Sequence, residues 1–93
     1  MQKRFIVSLI KNGIIGGSLV ADAEAITYHT SKLTIPREYQ HLVMPYKDIC
    51  AVTKGWFFLL PTVTVKLNNG SEYTFAVFFS RKRLMDTLAN MSA

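Results

Sequence analysis

TVTVKLNNGSEYTFAVFF, residues 62–79, gives the clearest structural signal in the chain. Apolar and polar side chains alternate on both sides of the Asn69-Gly70 dipeptide, and the apolar positions are Val63, Val65, Leu67, Tyr73, Phe75, Val77 and Phe79. Alternation with a period of two is typical of strands with one buried face. Asn-Gly favours the positive φ angles of a tight turn. The stretch therefore predicts an antiparallel hairpin.

The rest of the chain continues the strand pattern and then changes to a helix pattern. Alternating apolar segments between turn residues predict five further strands, at 5–10, 18–21, 25–30, 41–46 and 49–54. A cluster of glycines at 13, 16 and 17 predicts a turn or bulge, and Pro36 indicates a loop at 31–40. After Ser80, a candidate helix cap, an apolar stripe has helical spacing at Leu84, Leu88 and Met91. The predicted fold is mainly β: a seven-stranded bent antiparallel barrel capped by a C-terminal amphipathic helix that packs on the sheet.

Length and composition limit the chain to one small domain. Its 93 residues leave no room for a second folding unit, so residues 1–93 are assigned to a single domain. Hydrophobic residues make up 49% and charged residues 18%, which excludes a disordered, solvating chain. Eleven Lys and Arg against six Asp and Glu give a net charge of +5. This excess favours acidic partners, such as anionic lipid or nucleic acid, without choosing among them.

Cysteine usage and hydropathy indicate the compartment. Cys50 is the single cysteine, so no disulfide forms within the chain, and a small domain without one is typical of reducing compartments. No run of residues approaches the roughly 18 uncharged apolar residues of a membrane span. The short apolar run after Lys3-Arg4 ends too early for a secretion signal. We expect a cytoplasmic protein that is at most peripheral to a membrane.

The motifs of common catalytic and cofactor sites are missing from the sequence. It has no glycine-flanked serine elbow, no local histidine spacing for a metal and no phosphate-binding glycine loop. Cys50 with His29 or His41 would give the elements of a thiol nucleophile and its base. A buried cysteine and two surface imidazoles are the simpler interpretation. We expect no catalysis, no metal, no cofactor and no small-molecule substrate.

Several segments resemble the GRAM domain, which belongs to the pleckstrin-homology superfold. Seven antiparallel strands followed by one C-terminal helix is the element order of that superfold. The matching segments extend over residues 5–90 and are Gly17–Asp22 followed by Ile26-Thr27-Tyr28, Met44–Ile49, Val63–Gly70 with Tyr73, Phe75, Phe78 and Phe79, and Arg81–Leu84. The resemblance implies a pleckstrin-homology-like fold and a binding module with lipid-surface or protein partners.

Seven basic residues are candidate contacts for an anionic lipid. Phosphoinositide sites of the pleckstrin-homology type gather basic residues at the end of the first strand, where this sequence has only Lys11. A looser patch would form if four loop residues share one rim: Lys11, Lys32, Arg37 and Lys54. Ordinary solubilising charge is the alternative for these residues.

The other three candidates open the predicted helix. Arg81, Lys82 and Arg83 fall in its first turn, where positive charge opposes the helix dipole. Such an arrangement suits an anion bound at the helix start. The alternative is that the three side chains extend into water.

The most hydrophobic segment is the candidate interface: Trp56, Phe57, Phe58, Leu59 and Leu60. If the segment is an extended strand, Trp56, Phe58 and Leu60 lie on one side, and Phe57 and Leu59 on the other. A small barrel has one interior, so one set must lie outside it. Core, oligomer interface and membrane-dipping loop remain open. We predict that a second subunit covers the outward set.

The sequence as a whole predicts a non-enzymatic binding module. The expected activity is protein–protein contact or self-association as a homo-oligomer, with an anionic membrane surface as one setting for it. Binding of phosphoinositide or other anionic lipid is the alternative. A small basic nucleic-acid-binding barrel is the third choice, disfavoured because the aromatic residues of 73–79 alternate as a core face does.

Overall fold

A computed structural model describes residues 3–10, 13–31, 36–78 and 81–92, except for the side chain of Ser92. These residues form seven strands and one α-helix. The elements are β1 (Lys3–Ile10), β2 (Ile14–Ala21), β3 (Ala25–His29), β4 (His41–Pro45), β5 (Ile49–Phe57), β6 (Leu60–Leu67), β7 (Glu72–Val77) and α1 (Arg81–Ser92). Short 3₁₀ turns at Arg37–Tyr39 and Tyr46–Asp48 flank β4.

All seven strands belong to one antiparallel sheet with the order β4-β3-β2-β1-β7-β6-β5. The sheet curls into a half-barrel, and β4 and β5 are its two edges. The Cα radius of gyration is 12.1 Å, in line with about 12 Å for a compact domain of this length. The predicted class, a mainly β fold with seven antiparallel strands and one C-terminal helix, is confirmed.

The predicted hairpin forms between β6 and β7. Its register pairs Val63 with Phe75 and Val65 with Tyr73, which places these four members of the predicted apolar set on one face. Phe79 and the candidate helix cap Ser80 lie outside the described residues. The connection is longer than a two-residue turn: the Leu67 amide donates to the Ser71 carbonyl, and the Ser71 amide donates to the Asn69 side chain. Of the Asn69-Gly70 pair, only Gly70 has a positive φ, at 91°. Glycine adopts this conformation at no steric cost, which explains its place there.

The helix covers the concave face of the sheet. Leu84 and Leu88 are fully buried in one core cluster with Val63, Val65 and Phe75, as predicted. Met91 was predicted to join them, and this prediction is wrong because it is 39% exposed. It lies in the last helical turn, where it borders an open groove of about 520 Å³ with Ala23 and Tyr46 instead of reaching the core.

Strand β2 differs from the prediction because it incorporates two of the clustered glycines. Gly16 and Gly17 lie within β2, and only Gly13, with φ of 135°, lies in the connection before it. A Cβ at Gly17 would collide with the His29 carbonyl oxygen. The glycine therefore allows a close strand approach. Beside it, the Tyr28 hydroxyl donates to the Ile15 carbonyl at 2.7 Å, and burial raises the pKa of Tyr28.

The β2–β3 turn is closed by one carboxylate. Asp22 accepts hydrogen bonds from the amides of Glu24 and Ala25, both at 2.9 Å. These two bonds hold the pKa of Asp22 below its usual range. The Tyr46 hydroxyl donates to the Asp22 carbonyl at 2.8 Å, and burial first, then the charge of Asp22, raises the pKa of Tyr46. Both pKa shifts arise from the hydrogen bonds and the burial of this structural turn.

Candidate functional site

The hydrophobic segment at 56–60 forms the end of a β-hairpin. β5 ends at Phe57 and β6 begins at Leu60, so only Phe58 and Leu59 make the turn. The register pairs Phe57 with Leu60 and Trp56 with Pro61. The segment is therefore not one extended strand, the case considered from the sequence, because the chain reverses direction at its middle. We call these five residues the apolar tip: Trp56, Phe57, Phe58, Leu59 and Leu60.

The turn itself is made of residues that turns rarely use. Phe58 has a φ of +54°, and among the described non-glycine residues it alone has a positive φ. A positive φ in a two-residue hairpin turn is usually adopted by glycine, asparagine or aspartate. For L-residues this conformation costs about 1–2 kcal/mol. A phenylalanine there opposes local backbone preference.

The apolar tip is largely exposed. The exposed fractions are 67% for Trp56, 85% for Phe58 and 92% for Leu59. Phe57 and Leu60 are half-buried, and the rings of Phe57 and Phe58 meet edge to face at 4.7 Å between centroids. Of the three interpretations of this segment, core packing is wrong within this chain. Large contiguous apolar exposure is typical of contact surfaces.

Arg81 anchors the base of the apolar tip. Its guanidinium lies 5.0 Å from the centre of the Trp56 ring and donates to the Gly55 carbonyl at 2.9 Å. Cation–π contacts at such exposed positions contribute about 0.5–1 kcal/mol. The start of α1 therefore fixes a cation directly behind the exposed indole.

The three basic residues at the helix start do not act as one cluster. Arg83 turns to β1, where its guanidinium lies 5.0 Å from the Phe5 ring centre and donates weakly to the Arg4 carbonyl at 3.4 Å. Arg81 faces β5, as described above, and Lys82 is exposed. Two of the three side chains thus contact the protein itself, and an anion site at the helix start stays a prediction.

The structure describes two of the remaining basic candidates, and they lie apart. Lys54 is exposed and lies two residues before Trp56, on the same face of β5. Arg37 is exposed in the 3₁₀ turn before β4, at the opposite end of the strand order. Lys11 and Lys32 lie outside the described residues, so the four-residue rim stays a prediction. Of the two described residues, Lys54 lies beside the apolar tip and Arg37 does not.

Exposed apolar residues also continue from the apolar tip across the outer face of the sheet. Ile6 is 60% exposed and Phe78 is 41% exposed. The pairing of Val7 with Val77 places Phe78 opposite Ile6 when the register is continued by one residue. The β6–β7 ladder ends with the pair Thr62–Ala76, two residues from Leu60 and two residues from Phe78. We call Ile6 and Phe78 the outer strip.

Sequence reasoning missed the outer strip, although Ile6 carried a signal. Phe5, Val7 and Leu9 alternate along the inner face of β1. Ile6 lies between them and is therefore an apolar residue on the outer face. Phe78 is likewise an exposed apolar residue that is out of phase with the buried residues Phe75 and Val77. The contact between Arg81 and Trp56 had no local signal, because 25 residues separate the two along the chain.

No cluster of three or more His, Cys, Asp or Glu side chains that could hold a metal ion occurs among residues 3–10, 13–31, 36–78 and 81–92. Cys50 is exposed on β5, so its interpretation as a buried small hydrophobe is wrong. At the start of β5 the pairing with β6 shifts register between Ile49 and Ala51, which forms a β-bulge. Cys50 lies within this bulge. Its exposure follows from this local departure from the ladder at an edge strand.

Comparison with known proteins identifies the fold and nothing narrower. The chain is similar to the crystal structure of the C-terminal domain of an unknown protein from Leishmania infantum, with a TM-score of 0.80 and 14% sequence identity. The match covers 97% of this chain and 81% of that one. No family model matches the chain, and no curated protein matches it. At this identity, the likeness shows a shared fold alone.

The one helix described in this structure, α1, is too short to cross a bilayer, and no described helix is long and apolar enough to do so.

Proposed function

We propose that this chain is a non-enzymatic module that binds anionic membrane surfaces by inserting the apolar tip. The observation that carries the proposal is the order of side chains along the β5–β6 hairpin. Leu59 and Phe58 stand at its end, Trp56 follows, and the cations Lys54 and Arg81 lie behind them. The resemblance to GRAM and pleckstrin-homology domains also favours lipid-surface partners.

This order matches the layers of a bilayer surface. A strand advances about 3.3 Å per residue, so Trp56 lies about 7 Å and Lys54 about 13 Å behind Phe58 along the hairpin. Amphipathic segments bury their apolar face about 5–10 Å into the boundary between headgroups and acyl chains. With Phe58 and Leu59 among the chains, Trp56 reaches the interface that indoles prefer, and Lys54 reaches the phosphates.

The energies are sufficient for reversible binding. Burying one large apolar side chain contributes about 1.5–3 kcal/mol, so Phe58 and Leu59 together contribute about 3–6 kcal/mol. Each basic residue near an anionic surface adds about 1 kcal/mol. Lys54 and Lys82 are exposed and available for this contribution. The summed binding free energy corresponds to peripheral association and is much smaller than the free energy that holds a membrane-spanning helix in a bilayer.

The experiment is co-sedimentation with vesicles of phosphatidylcholine containing 30% phosphatidylserine. The variant Phe58→Ser/Leu59→Ser removes both residues of the turn. Its partition should fall by roughly 10²- to 10⁴-fold, since about 1.4 kcal/mol corresponds to a factor of ten. The matched control is Ile14→Ser/Val43→Ser, which removes two exposed apolar residues from β2 and β4. Equal binding by both variants would exclude the apolar tip as the contact.

Protein–protein contact is a second candidate, which the outer strip favours. Ile6 and Phe78 extend the apolar surface away from the end of the hairpin, where a flat bilayer would not reach them if the hairpin stood upright. A second copy of this chain or another protein would cover both surfaces. Light scattering without lipid tests self-association: a mass that doubles with concentration, and stays single in Ile6→Ser/Phe78→Ser, supports it.

A further inference from the structure

Two histidines that are distant in sequence meet on the outer face of the sheet. His29 ends β3 and His41 begins β4, and the antiparallel register places them directly opposite each other. Both side chains are exposed. Their ring centres are 5.9 Å apart with an interplanar angle of 74°. Neither residue belongs to the apolar tip or to the helix start.

The backbone brings these two side chains as close as a sheet allows. The Thr30 amide donates to the Gln40 carbonyl at 3.0 Å, which makes the next pair along the strands a hydrogen-bonded one. Pair types alternate in an antiparallel ladder, so His29 and His41 form a non-hydrogen-bonded pair. In such pairs the Cα atoms are about 4.5 Å apart and the side chains are closest.

From this geometry we propose that His29 and His41 form a two-histidine site for a late transition-metal dication such as Ni²⁺, Cu²⁺ or Zn²⁺. One imidazole nitrogen from each ring would bind the ion. At metal–nitrogen distances of about 2.0–2.1 Å, two cis ligands place the ring centres about 5 Å apart. Small χ rotations of exposed side chains cover the difference from the observed separation.

The ligand set determines the class of ion. Imidazole suits nickel, copper and zinc, whereas calcium and magnesium require oxygen ligands. In the part of the chain that the structure describes, no third His, Cys, Asp or Glu joins the pair. Water would complete the coordination, and binding would be reversible. The ion would connect β3, which lies inside the sheet, to the edge strand β4.

The test is calorimetric titration of tag-free protein with NiCl₂. We expect one ion per chain, and roughly 10²-fold weaker binding in both His29→Gln and His41→Gln, because the second imidazole acts at high effective concentration. Because the ion binds the folded chain, NiCl₂ should also raise the Tm of the unmodified protein but of neither variant. MgCl₂ should give no heat of binding.

Cys50→Ser is the matched control, since Cys50 is an exposed alternative ligand on β5. It should bind Ni²⁺ as the unmodified chain does. Loss of binding in Cys50→Ser with retention in both histidine variants would overturn the proposal, as would equal affinity in all four proteins. Because none of these substitutions alters the apolar tip, the vesicle experiment and this one fail independently.

Discussion

Phe58→Gly separates the function of the apolar tip from the stability of the fold. Phe58 has a φ of +54°, a conformation that costs an L-residue about 1–2 kcal/mol and that glycine adopts freely. Against this gain, glycine adds about 0.5–1 kcal/mol of unfolded-chain entropy, and the lost ring contact with Phe57 costs about 0.5–1.5 kcal/mol. The free energy of unfolding should therefore change by no more than about 1.5 kcal/mol in either direction.

Membrane binding should respond far more strongly to the same substitution. Phe58 is 85% exposed in the free protein, and burying a phenylalanine contributes about 1.5–3 kcal/mol. Phe58→Gly should therefore weaken partition into anionic vesicles by roughly 10- to 100-fold. Urea unfolding followed by far-ultraviolet circular dichroism measures stability, and vesicle co-sedimentation measures binding.

Phe58→Leu serves as the control for this pair of measurements. It keeps an apolar side chain and the strained backbone, so it should retain most of the binding. A loss of more than about 2 kcal/mol of stability in Phe58→Gly, with unchanged binding, would refute the reasoning. Phe58 would then be a folding residue whose exposure has no function.

Three further predictions follow from the structure. Leu88→Ala should lower the free energy of unfolding by about 2–5 kcal/mol, because Leu88 is fully buried in the core cluster; a loss below 1 kcal/mol in urea unfolding would show that α1 packs loosely. Lys54→Glu/Lys82→Glu should weaken binding to anionic vesicles and reduce its salt dependence, measured between about 0.1 and 1 M NaCl, while Arg37→Glu, on the far side of the strand order, should not. Asp22→Ala should be less stable than the unmodified chain at pH 7, and the difference should vanish as the pH falls. The sign follows because the bonds to the Glu24 and Ala25 amides lower the pKa of Asp22 in the folded state. The charged carboxylate therefore contributes its full stabilisation above the unfolded-state pKa of about 4, and this stabilisation is lost as the pH falls through the lower folded-state pKa. A difference that persists in thermal unfolding at pH 2 would assign the effect to the side chain's size instead.

Elements with a regular apolar period were predictable from the sequence. The alternation at 62–79 and the helical spacing of Leu84 and Leu88 both report one buried face, and both elements form as predicted. Met91 has the same spacing but is exposed, because periodicity does not reveal where the sheet beneath a helix ends. The glycines at 16 and 17 suggested a turn, because the sequence does not distinguish a turn from a close approach of two strands. The structure shows that Gly17 allows such an approach within β2.

The candidate site was predictable in composition but not in shape. The run of five apolar residues marked the segment, yet nothing in it signals a reversal, since it lacks the glycine, asparagine or proline of common turns. The turn forms because the strands on either side pair with each other. Tertiary pairing here overrides local preference, and such conflicts are typical of functional positions.

Contacts between residues far apart in sequence were beyond the reach of pattern analysis. Arg81 and Arg83 are neighbours of like charge in the sequence, but the helix directs them to β5 and β1. His29 and His41 have no local metal-ligand spacing, and only the β3–β4 register brings them together. In each case the chemistry depends on which strands are adjacent.

Fluorescence of Trp56 provides the most direct test of membrane insertion, because Trp56 is the single tryptophan and lies on the apolar tip. Emission is recorded with vesicles containing 30% phosphatidylserine, some carrying lipids brominated at defined acyl positions. The proposal predicts a blue shift on binding and quenching that is strongest for bromine near the headgroup end of the chains. Binding detected by co-sedimentation with unchanged Trp56 emission and no quenching would contradict it.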